Sequence, residues 1–118
     1  MDNFLMLRYE SEQEIIDAMN VEIKQLNYDR ELLKGSRASL EEAYRGQIRV
    51  AANQQRAGRA VSDDAANELE GLQLKLAENA RSLGALDRRE QDIRGEFQQQ
   101  LERYRDLVEK YAEEGHGS

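Results

Sequence analysis

Apolar residues recur every three or four positions along almost the whole chain, and no proline interrupts them. Met19, Leu26, Leu33 and Leu40 stand seven apart, as do Leu69, Leu76 and Leu83. Leu72, Leu86, Ile93 and Leu107 are interleaved with the second set. That spacing keeps one narrow apolar stripe on one face of a helix, so it predicts an all-α fold built on heptad seams. A chain of this kind works by holding other helices, not by transforming a substrate.

Composition supports the same reading. Hydrophobic residues make up 39% of the chain and charged residues 35%, with five tyrosines, two phenylalanines and no tryptophan. A compact globule normally carries more apolar mass. Long helices need less, because only one stripe has to be covered. Such a composition also fits disorder, but the sustained periodicity argues against disorder over most of the length.

The chain falls into five stretches. Residues 1–7 are a lead-in, and residues 8–57 form the first coiled-coil segment, whose helix is expected to begin before Arg8. In this segment Ile16 and Ile23 occupy position a, while Met19, Leu26, Leu33 and Leu40 occupy position d. The a row then weakens to Arg30 and Arg37, followed by Tyr44 and Ala51. Gly35-Ser36 is a soft spot, and Ser39 with Glu42 has the capping-box pattern. The apolar phase nevertheless runs through without a skip, so one continuous helix is expected there.

Residues 58–62 are a weak junction. Ser62-Asp63-Asp64 then supplies a helix N-cap and two acids for a first turn. Residues 63–113 form the second segment, with Leu69, Leu76, Leu83, Phe97, Tyr104 and Tyr111 at a. Leu72, Leu86, Ile93 and Leu107 fall at d, and Asn79, Glu90 and Gln100 are the polar members of the seam. Residues 114–118, including the lone His116, read as a disordered tail or a cloning remnant.

The two seams are out of phase. Extending the first a row from Ile16 by sevens reaches Ala65, whereas the second a row contains Leu69, four residues later. Two architectures satisfy this shift. One is a single coiled-coil rod with a mid-chain stutter, about 150 Å long for roughly 100 residues. The other is an antiparallel helical hairpin, or bundle, that turns at 58–62.

Charge narrows the partners. Net charge is −7, and no basic run is present, so nucleic acid is disfavoured. No apolar run is long enough for a membrane span, and no secretory leader is recognisable, which leads one to expect an intracellular, cytoplasmic chain. With no cysteine there is no thiolate metal site or disulfide framework. Adjacent acids such as Asp63-Asp64 diverge around a helix and suit solvated faces better than acid–base catalysis. No nucleotide-, zinc- or calcium-binding motif is present. The expectation is therefore no enzyme, no cofactor, no metal and no small-molecule substrate. The partner is this chain itself or a related helical protein, in a dimer or a higher oligomer.

Arg30 and Arg37 at a positions point to an assembly that is not a parallel homodimer, in which each would face its own copy. Arg89 would likewise meet Arg94 of a parallel partner. Leu101 and Val108 widen the second stripe, and Asn79 is a candidate for setting register.

Residues 8–41 resemble part of the first long coiled-coil segment of intermediate filament rods. The matching residues are Arg8-Tyr9-Glu10-Ser11-Glu12, Glu22-Ile23, Leu26 and Arg37-Ala38-Ser39-Leu40-Glu41. The stretches 40–44 and 98–104 look like pieces of lamin-type second coils. The initiation and termination motifs of those rods are absent. The resemblance implies a rod fragment that dimerises and assembles laterally into filaments. The function expected from the sequence is thus a structural, self-associating coiled-coil segment. The alternative is a helical-hairpin adaptor or secretion-type chaperone that binds a partner's helix.

Overall fold

The computed structural model describes residues 11–116. The expected lead-in, the Arg8–Glu10 part of the filament-like stretch and residues 117–118 lie outside the described residues. Two helices account for nearly everything described: α1, Glu12–Arg56, and α2, Asp63–His116.

The start of α1 has a local cause. Glu14 donates its backbone N–H to Ser11 Oγ at 3.3 Å, and Glu12 and Glu14 place carboxylates in the first turn. Ser11 is therefore the N-cap, and the acids complement the positive end of the helix dipole. The helix then runs through Gly35 and Ser36 without a break, as the unbroken apolar phase predicts.

The chain reverses between the helices. Gly58 has φ +75°, a left-handed conformation that glycine adopts without steric cost. Arg59 N–H donates to the Gln54 carbonyl at 2.9 Å, and Gly58 N–H to the Gln55 carbonyl at 3.0 Å. This pair of bonds is a Schellman motif, which satisfies carbonyls that the end of α1 would leave open. On the far side Ser62 caps α2: its Oγ accepts from Ala65 N–H at 3.2 Å, and its carbonyl from Ala66 N–H at 3.0 Å. Asp63 and Asp64 occupy the first turn.

Of the two all-α architectures, the chain adopts the hairpin. It forms no single rod with a stutter, because a stop at Gly58 and a start at Ser62 lie within five residues. The phase shift between the seams has a simple origin: the two registers belong to two different helices. The second helix also runs on to His116, three residues past the expected boundary at 113.

Two compact units can be distinguished. One spans residues 28–86 and contains the turn; the other gathers residues up to 27 and from 87 onward. In the first unit the two helices run antiparallel. Gln73 Nε2 donates to Tyr44 Oη at 3.1 Å, and Asn79 Nδ2 donates to the Leu33 carbonyl at 3.0 Å. Its buried residues are Ala65, Leu72 and Asn79, flanked by half-buried Leu33, Leu40, Leu69, Leu76, Leu83 and Leu86. The second unit buries Ile15, Ile23 and Leu26 from α1 with Ile93, Phe97, Leu101, Tyr104 and Leu107 from α2. Arg105 reaches Glu12 at 2.6 Å across that unit.

Candidate interaction surfaces

Every apolar or aromatic residue expected at the seam, except one, is at least partly covered. Ile23, Leu26, Leu72, Ile93, Phe97, Tyr104 and Leu107 are buried, and Ile16, Met19, Leu33, Leu40, Tyr44, Leu69, Leu76, Leu83 and Leu86 are half-buried. Tyr111 is the exception, at 51% exposed. Within each unit these side chains share a core with the opposite helix, each large one contributing about 1.5–3 kcal/mol on full burial. The seam is consequently occupied inside the chain.

The heptad pattern missed two core residues and placed a third, Leu101, on the widened stripe. Ile15, immediately before the assigned a position, is fully buried. A strict a/d register covers only part of a stripe that is wider in globular helices, so its neighbour is drawn in. Leu101 is buried for the same reason, consistent with its place on the widened stripe. Ala65 is buried although alanine carries little hydrophobic signal.

The polar seam members resolve differently. Arg37 swings outward and lies 3.6 Å from Glu41 on its own helix, with about half of each side chain exposed. That i,i+4 pair keeps the guanidinium solvated without an acid from a second chain. Arg94 pairs likewise with Glu90 at 3.0 Å. Asn79 turns inward and is only 7% exposed. Its Nδ2 is used on Leu33, but its Oδ1 is buried with no hydrogen-bond partner among the described residues, as is Gln100 Oε1. An unmet buried acceptor costs about 1–3 kcal/mol, so these are polar choices made against stability.

Arg105 and Glu12 form an exposed ion pair. The hydrogen bond to Glu12 and its charge raise the arginine pKa above its ordinary value. The sign follows: while Glu12 carries its charge, the stability lent by this group is present below the usual arginine range and is lost as pH rises through it. The guanidinium therefore adds no pH dependence near neutrality.

Several large apolar side chains point away from these cores. In the turn unit, Tyr28 is 62% exposed, Leu32 56% and Leu74 65%, and Ile48 and Val50 are also exposed. In the other unit Val21, Val108 and Tyr111 are exposed. On α1, Tyr28, Leu32, Ser39, Gly46 and Val50 lie on one face, within an arc of about 40° at roughly 100° per residue. That face is turned away from the Leu33, Leu40 and Tyr44 side. Sequence periodicity found only the stronger stripe, because this second one is diluted by glycine and serine.

A surface hollow lined by Arg103, Asp106, Leu107 and Lys110 follows a single helix. One helix face does not surround a small molecule in the way a ligand cleft does. Among the described residues, no helix is long and apolar enough to cross a membrane. No protein-family model matches the chain, and no curated protein or solved structure shows a significant match. The filament-rod likeness therefore rests on the residues quoted for it.

Proposed function

We propose that this chain is a helical-hairpin interaction module, which associates with other helical chains through the outer faces of its helices. The observation that carries this reading is the division of apolar residues. The heptad seam is covered within the chain, while Tyr28, Leu32 and Leu74 remain largely exposed on other faces. Scattered exposed apolar residues are ordinary on any protein. A row of them on one helix face, in a chain so rich in charge, is the pattern expected of a helix-docking surface. Self-association into structural assemblies belongs to the same reading, with contacts made by the outer faces and the seam left closed.

Site-specific photo-cross-linking tests the proposal. A photoreactive residue at position 28, 32 or 74 is expected to yield adducts heavier than one chain in the cells that make the protein. The same group at buried Ile93 is expected to yield intrachain products. If the exposed positions give no intermolecular adducts, the chain does not work through these faces.

A further inference from the structure

We infer that the outer face of α1 next to the turn, carrying Arg45, Arg49 and Arg56, docks antiparallel on a second copy, against the outer face of its α2 that carries Asp63, Glu70 and Leu74. This inference rests on the interaction-module reading and names the partner for one face of each helix.

The first observation is a separation of charge about the turn. Residues 43–62 hold four arginines and no acid, and residues 63–74 hold four acids and no base. The helix dipole acts only within the terminal turn, so it accounts for Arg56 and Asp63 but not for Arg45, Arg49 or Glu70. Nor do the two sets pair with each other inside the chain. Arg45 and Arg49 reach Glu42 on their own helix, at 3.0 and 4.0 Å, and Arg56 reaches Asn53 at 3.5 Å. The cause is direction. At about 100° per residue, the three α1 arginines share an arc of about 40°, turned about 140° from the side of Leu33, Leu40 and Tyr44. Asp63, Glu70 and Leu74 share a similar arc on the side of α2 away from Ala65, Leu72 and Asn79. All six of these side chains are exposed.

The second observation is the spacing. Arg45, Arg49 and Arg56 are separated by four and then seven residues, and Asp63, Glu70 and Leu74 by seven and then four. Run antiparallel, the two triplets superpose. Arg56 then stands opposite Asp63, Arg49 opposite Glu70, and Leu74 lies along the aliphatic stem of Arg45. Run parallel, Arg45 would meet Asp63, but Glu70 falls three residues out of step with Arg49. The antiparallel register brings one like-charge approach, Glu42 beside Glu78, and Glu42 already holds Arg45 on its own helix. The two faces belong to different helices and point away from each other. Each copy therefore offers its α1 face to one neighbour and its α2 face to another. A contact of that kind is heterologous and continues beyond two chains.

Sedimentation equilibrium of the full chain over a wide concentration range tests this, with circular dichroism to confirm that each variant folds. The wild type is expected to grow reversibly past two chains. Arg49→Glu alone, or Glu70→Arg alone, should weaken association about tenfold, since an attraction becomes a repulsion. An equimolar mixture of R49E and E70R should associate like the wild type, because each altered face finds its complement on the other variant. Glu68→Arg changes net charge as Glu70→Arg does, but about 140° round α2 from this face, and should leave association unchanged. A wild type that stays monomeric or stops at two chains would overturn the inference. So would single reversals without effect, a mixture that fails to associate, or a Glu68→Arg as damaging as Glu70→Arg. If the chain is monomeric but position 28, 32 or 74 cross-links to a different protein, the interaction reading stands and only the second-copy partner is lost. Absence of both assembly and adducts removes both.

Discussion

Gln54 and Ser62 are joined twice across the turn. The Gln54 amide donates from Nε2 to Ser62 Oγ at 3.2 Å and accepts Ser62 N–H on Oε1 at 2.9 Å. One side chain in the last turn of α1 thereby fixes the residue that caps α2. Gln54→Ala should cost about 1 kcal/mol by removing both bonds. Ser62→Ala should cost about 1 kcal/mol or more, because the N-cap is lost as well. Urea denaturation of each variant measures this. Since the two side chains share partners, the double variant should lose less than the sum of the singles.

Gly58 makes a separate prediction. Its φ of +75° strains any residue that has a Cβ, although nothing lies within 4 Å of where that Cβ would be. Gly58→Ala should therefore destabilise by about 1–2 kcal/mol through backbone conformation alone. Gly58→Asn should cost less, because asparagine tolerates the left-handed region better. If both variants melt like the wild type, the turn does not hold the conformation described.

The all-helical class was legible because hydrophobic period is a direct consequence of helix geometry. Leu26, Leu72, Ile93 and Phe97 could be assigned to a core from spacing alone. The choice between rod and hairpin was not legible, and the reason is local. The junction carries no proline, and a single glycine is common enough inside helices to be read either way. What decides the turn is the bonding of Gln54 to Ser62 and the left-handed Gly58, and a heptad reading counts Gln54 only as a weak seam residue. Tyr111 shows the opposite failure. It falls at an a position of the expected seam, yet it stands 51% exposed.

Asn79 offers a test of polarity within the seam. Its Nδ2 holds the Leu33 carbonyl while its Oδ1 is buried unpaired. Asn79→Leu removes that unmet acceptor and adds apolar area, so the melting temperature should rise. The gain should come with a looser register, since a buried polar pair is one of the few features that penalises sliding of one helix along the other. Cysteines in place of Tyr44 and Gln73, whose side-chain ends meet across the two helices, report register when joined by a short bifunctional reagent. They should cross-link cleanly in the Asn79 background and less selectively in the leucine variant.

The two kinds of apolar residue should separate sharply under truncation. Phe97 and Ile15 are buried within their unit, so Phe97→Ala should cost about 3–5 kcal/mol and Ile15→Ala about 2–5 kcal/mol. Leu32 and Leu74 are more than half exposed, so replacing either with Ala should change the stability of the isolated chain by no more than about 0.5 kcal/mol. Measured at low concentration, where only the monomer is present, this contrast isolates the hairpin core. A large loss for Leu74→Ala in the dilute monomer would mean that its face is part of the fold and not a surface held open for a partner.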